Sequence, residues 1–174
     1  MLDLAARLRL EDIAYLLPVA AGQSWYPGRY FDLLPVNQPW LDRALDACDA
    51  AIARAHRGGM ADERIVMAGF SQGACVIAEL VARRARPWAG AAILTGTLLG
   101  PAGERVVPAG VAGLPMFLCA SRYDDWIALD DALGTARAFE AAGASVTFET
   151  YEDRAHHIND RAVEGVRRLL IERS

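Results

Sequence analysis

Apolar positions along this chain fall into two repeating patterns, short unbroken runs and longer stretches at helical spacing. Residues 65–67, 89–94 and 114–120 are unbroken apolar runs of the length expected for strands buried on both faces. Residues 13–17, running into Pro18, read as a further strand, and residues 145–151 alternate as a more exposed edge strand. Helical spacing marks residues 2–10, 74–84 and 128–142, the last stopped by Gly143. Pro39 suits the first turn of a helix over residues 39–57, with Leu41, Leu45, Cys48, Ile52 and Ala55 on one stripe. Asn159 caps a closing helix whose stripe is Val163, Val166, Leu169 and Leu170. Strands and helices thus alternate, which predicts an α/β fold: one domain over residues 1–174, its mostly parallel sheet covered by helices on both faces.

Two connections are too long to be simple turns. Residues 20–38 carry Trp25, Tyr26, Tyr30 and Phe31 among glycines and prolines. A loop of that length is either a wall or lid over a site or a segment its own rings pin to the body. Residues 95–114 form a Gly/Pro-rich connection without a helical period. His56 falls in the last turn of its helix, where a cationic imidazole complements the dipole, a structural role.

Composition narrows the function classes. With 53% hydrophobic and 23% charged residues the chain can bury a sizeable core. A formal charge of −4 with dispersed arginines gives no footprint for nucleic acid or anionic membrane. No apolar stretch reaches the length of a membrane span, and the N-terminus lacks a secretory signal, so the expected location is the cytoplasm. Cys48, Cys75 and Cys119 show no metal-type spacing and read as small buried thiols; no metal and no cofactor is implied.

The candidate chemistry begins at Gly69-Phe70-Ser71-Gln72-Gly73, between a strand and a helix. This G-x-S-x-G pattern fits a nucleophile elbow, a turn so tight that the serine is thrust out above the sheet and side chains at 69 and 73 would collide. A helix N-terminus there aims the amides of Gln72 and Gly73 at an anion forming on the serine adduct. A serine hydroxyl needs an imidazole to take its proton and a carboxylate to orient that imidazole. Downstream strand ends supply Asp124 or Asp125 and then His156 or His157, so that all three members meet at one sheet edge. Trp25, Tyr26, Phe70 and Trp126 are candidates for an apolar acyl or aromatic pocket, or for the core.

Together GFSQG, SRYDDWI and AHHIND resemble the elbow, acid turn and histidine loop of the small phospholipase/carboxylesterase group of α/β hydrolases, which includes acyl-protein thioesterase-like enzymes. The resemblance covers nearly the whole chain. It places the acid on Asp124, with Asp125 where proline is common, and the histidine on His156, with His157 at a variable position. QSWYP is similar to a pocket-side loop in a subset of the group. What the resemblance implies is a serine hydrolase cleaving carboxylic ester or thioester bonds through an acyl-enzyme, with Ser71, Asp124 and His156 as triad, the Gln72 amide as oxyanion donor and a small-molecule substrate. The departure is at the start: the group opens with a strand ending in a glycine-rich turn that donates a second oxyanion amide, and neither is found here. The expectation is an N-terminally truncated α/β-hydrolase fold, with Met1 an internal start or the chain a fragment, and a sheet lacking a strand between residues 13–17 and 65–69. The alternatives are a catalytically weak or inactive paralogue serving as a ligand-binding module, and a peptidase; a homodimer is left open.

Overall fold

The computed structural model describes residues 1–171. Its centre is a four-stranded sheet formed by β1 (Val66–Phe70), β2 (Gly90–Leu94), β3 (Pro115–Ser121) and β4 (Ser145–Tyr151). Every pairing is parallel and the strand order is β1-β2-β3-β4. Each crossover therefore steps to the adjacent strand, and the strands' C-terminal ends lie at one edge.

Five helices accompany the sheet: α1 (Leu2–Leu8), α2 (Leu34–Arg57), α3 (Gln72–Arg83), α4 (Leu129–Ala141) and α5 (Asp160–Ile171). The pleat divides the core in two. Met67, Ala91, Ile93, Met116, Leu118 and Ala120 face a cluster with α2, α3 and α4, whereas Ala92, Leu94, Phe117 and Cys119 face α1 and α5. This period of two is what strands buried on both faces require. All five residues of β2 are buried, so the run at 89–94 is apolar on both sides for that reason.

Two sequence expectations are corrected. Residues 13–17 join no strand ladder, and Ala14, Tyr15 and Leu16 are exposed. An apolar run becomes a strand only through a partner's backbone, and β1 has its far edge free among the described residues. The sheet consequently has four strands where five were expected. The second correction concerns α2, which starts at Leu34 with Pro35 in its first turn and carries Pro39 inside. Pro35 takes the role assigned to Pro39, because its missing N–H falls among the first-turn amides that have no helical acceptor. The stripe of α2 holds as read at Leu41, Leu45, Cys48 and Ile52, while Ala55 is half-buried. His56 pairs with Asp62 at 2.7 Å, bracing the helix end against the next turn. None of the described helices is long and apolar enough to cross a membrane.

The cap read at Asn159 is present: its Oδ1 accepts the Ala162 amide at 2.9 Å, the third residue of α5. Opposite β3, α5 comes so close that its Gly165 lies against the Phe117 ring, and a Cβ there would overlap that ring. Gly165→Ala should therefore destabilise the fold. Alanine gains about 1 kcal/mol of helix propensity, but overpacking against a ring costs about 1–3 kcal/mol, and Phe117 is itself buried. A urea midpoint lower than that of the parent protein is the expected result, and an increase would show that α5 can slide.

Candidate active site

β1 ends at Phe70 and α3 starts at Gln72, so Ser71 alone makes the turn between strand and helix. Its backbone sits at φ 55°, ψ −126°, a conformation that side chains rarely adopt. Two bonds hold it there: the Ser71 amide donates to Leu94 O at 3.1 Å, and the Ser71 carbonyl accepts from Cys75 N at 3.1 Å. Gly69 is required, since a Cβ would run into the Gly73 carbonyl and the Ala74 backbone. Gly73 is not: a Cβ there would meet only Trp25 Nε1 at 3.6 Å, ordinary contact. The glycine that shares the burden lies at 96, just beyond β2, where a Cβ would strike Ala74. That expectation of a symmetric glycine pair is thus corrected.

The Ser71 Oγ stands 2.7 Å from His156 Nε2, and His156 Nδ1 stands 2.7 Å from Asp124 Oδ2. With the hydroxyl donating to Nε2, Nδ1 carries the ring proton and donates to the carboxylate, one continuous proton path. The Asp124 side chain is 0% exposed. Its other oxygen accepts the amides of Trp126 at 2.8 Å and Ile127 at 2.9 Å. A buried carboxylate with its second oxygen held by two backbone N–H groups has a fixed position and a stabilised charge. Of the pairs left open by the residues alone, the structure brings together Asp124 and His156; Asp125 is exposed, and the exposed His157 turns its Nδ1 toward Ala155 O at 3.1 Å.

The histidine loop is tied at three points. Ser121 Oγ, at the end of β3, donates to Asp153 Oδ1 at 2.5 Å, and Asn159 Nδ2 donates to Asp153 Oδ2 at 3.3 Å. On the far side Arg7 of α1 donates to Ile158 O at 2.7 Å and pairs with Asp160 at 2.8 Å. Asp153 and Arg7 carry no motif, so the sequence offered nothing to single them out.

Gln72 does more than its backbone position suggested. Its Oε1 accepts the Trp25 amide at 3.0 Å and the Ser24 hydroxyl at 3.3 Å, and its Nε2 donates to Tyr26 O at 2.9 Å. The side chain therefore clasps the long loop to the elbow. Further along, Tyr30 OH donates to Asp131 Oδ2 at 2.8 Å and accepts Ala128 N at 3.3 Å, while Arg105 pairs with Asp131 at 2.5 Å.

The four aromatic candidates separate. Phe70 packs beside the imidazole at a centroid distance of 4.9 Å, and Trp126 lies 6.2 Å from it and is 58% exposed. Trp25 is half-buried beside Gly73. Tyr26 is 2% exposed and belongs to the core; its hydroxyl bonds Cys75, and burial drives its pKa far above the usual phenol range. A ring placed under the elbow by the Gln72 clasp has no face left for a ligand. Burial also raises Cys75, and it pushes Cys48 and Cys119 up to about 11, so all three thiols stay protonated near neutrality. Among the described residues no group of three or more His, Cys, Asp or Glu is placed to hold a metal ion. Cavities of about 300 Å³, beside Trp88 and Pro115, and about 370 Å³, between Arg105 and α4, include none of the residues above except Arg105.

A sequence model of the family described as phospholipase/carboxylesterase matches residues 15–172. Among solved structures, a phospholipase/carboxylesterase from Dyadobacter fermentans is 28% identical, with a TM-score of 0.77 over 87% of this chain and 73% of that one. SOBER1 from Arabidopsis thaliana is 16% identical, with a TM-score of 0.74 over 98% and 90% of the two chains. A carboxylesterase from Bacillus cereus is 20% identical, with a TM-score of 0.69 over 84% and 69%. At such identities the last two show the fold alone. No curated protein is significantly similar to the chain.

The Gln72 clasp yields a prediction that separates side chain from amide. Gln72→Ala keeps the backbone N–H at the helix start and removes three hydrogen bonds to residues 24–26. The loop of residues 20–33 should become sensitive to limited proteolysis, and stability should fall by about 1–3 kcal/mol, the range for stranding partly buried polar groups. An unchanged cleavage pattern would show that the aromatic rings alone hold the loop.

Proposed function

Since the chain belongs to the phospholipase/carboxylesterase family of hydrolases, we propose that it is a serine hydrolase cleaving carboxylic ester or thioester bonds through a covalent acyl-enzyme. The observation that carries this reading is the unbroken Ser71–His156–Asp124 hydrogen-bond path at the C-terminal edge of the sheet. Ser71 Oγ attacks the substrate carbonyl while its proton passes to His156 Nε2. Asp124 keeps the ring in the tautomer that can accept, and balances the imidazolium that forms. His156 then protonates the departing alcohol or thiol; in the second half it draws a proton from water as the oxygen attacks the acyl carbon, and returns that proton to Ser71 Oγ as the acid leaves.

The Gln72 amide, first in α3, is the donor this chain offers to the oxyanion, with the helix dipole behind it. Phe70, Trp25 and Trp126 supply apolar surface around the reacting carbonyl. Tyr26 is not among them, because it is core.

A fluorophosphonate probe tests the nucleophile directly: labelling should occur at Ser71 and vanish in Ser71→Ala. Asp124→Asn should lower kcat on a p-nitrophenyl ester by roughly 10⁴, the scale seen when a triad acid is neutralised and the imidazole adopts the wrong tautomer. A folded protein that neither labels nor hydrolyses would instead be a ligand-binding member of the family.

A further inference from the structure

We propose that the mouth of this site recognises an anionic oxygen group, carboxylate or phosphate, carried by the substrate at some distance from the scissile carbonyl, and that Arg29 is the residue that selects it. This rests on the hydrolase reading above and adds a substrate class to it. Arg29 lies in the long loop, and its guanidinium carbon is 5.4 Å from the Trp126 ring centroid and 5.6 Å from that of Phe31. Trp126 in turn is 6.2 Å from the His156 ring. A cation is therefore stacked one aromatic ring away from the proposed base.

Its partners are aromatic, not acidic. Asp32, the nearest carboxylate in sequence, is engaged by the Arg29 backbone amide at 2.6 Å. Among the described residues no carboxylate lies within ion-pairing distance of the Arg29 guanidinium, whereas Arg122 on the acid turn is paired with Glu152 at 2.7 Å. Arg154, two residues before His156, repeats the arrangement: it stacks over Tyr123 at 5.0 Å and also lacks an acidic partner among the described residues. Other acids adjoin these residues in sequence: Asp32, Asp125 and Asp153, the last with both oxygens taken by Ser121 and Asn159.

Stacking holds a guanidinium against the ring while leaving its N–H edge free, and that edge matches two oxygens of a carboxylate or phosphate. The chain as a whole carries a formal charge of −4, so two cations without acidic partners among the described residues, one on Trp126 and one two residues before His156, depart locally from that balance. A purely apolar acyl ester would gain nothing from them.

Binding can be read without turnover. The indole N–H resonance of Trp126 in the ¹⁵N-labelled chain, assigned with Trp126→Phe, should shift saturably with sodium glutarate or inorganic phosphate and not with neutral glutaramide. The tighter of the two anions names the group. Arg29→Gln should weaken that binding about fivefold, the scale of one well-placed exposed ion pair, Arg29→Lys should retain part of it, and added salt should reduce it. In turnover, the kcat/KM ratio of mono-p-nitrophenyl glutarate to p-nitrophenyl butyrate should fall about fivefold in Arg29→Gln, mainly through KM. Equal response to glutarate and glutaramide, or a ratio that Arg29→Gln leaves unchanged, overturns the proposal. Hydrolysis of neither ester with the titration intact would overturn the hydrolase reading and leave anion recognition standing.

Discussion

The site depends on a single strained residue being held between a strand and a helix. Ser71 occupies a backbone conformation that costs about 1–3 kcal/mol, and it stays there because its surroundings allow no other path. The Leu94 carbonyl fixes it to β2 and the Cys75 amide fixes it to α3. From Ala74 to Ala82 every residue of α3 is buried, so the helix cannot shift to relieve the turn. Gly69 and Gly96 let the helix start sit directly on the sheet. The burial of one helix thus supplies the energy that exposes one hydroxyl.

The other members of the site stand on loops, and polar side chains secure those loops. Asp153 joins the end of β3 to the cap of α5 and so fixes the span in which His156 lies. Asp131 joins Tyr30 of the long loop to Arg105 and the start of α4. Glu79, 0% exposed, pairs with Arg83 and accepts the Leu99 amide at 2.8 Å, which anchors the connection after β2. Each carboxylate has every oxygen engaged, as burial demands. Side chains brought together from a strand–helix turn and two loops keep hydrogen-bonding geometry because pins of this kind remove freedom that loops otherwise have.

Gln72 shows how closely the wall and the elbow are linked. The residue that follows Ser71 places its amide at the helix start and uses its side chain to fix residues 24–26. The long loop is thus bonded to the residue next to Ser71, and it carries Arg29 to the rim beside Trp126. The proposed nucleophile and the proposed anion-selecting residue are therefore tied together through one short segment.

The parallel sheet, the helix stripes and the cap at Asn159 were legible in the sequence because they follow from local periodicity and side-chain reach. A buried strand must be apolar on both faces, and a cap must lie two or three residues from the amide it accepts. The family's three short segments likewise stood in the linear order of the chain. Tertiary structure alone decided the rest. It joined Ser71, His156 and Asp124, which lie up to 85 residues apart, and left Asp125 and His157 in solvent. It put Tyr26 in the core and Trp126 on the rim, although both are aromatic residues in loops. It withheld from residues 13–17 the neighbour that would have made them a strand. It also moved the need for glycine from position 73 to position 96, because close approach is a property of two segments meeting and leaves no trace in either one alone.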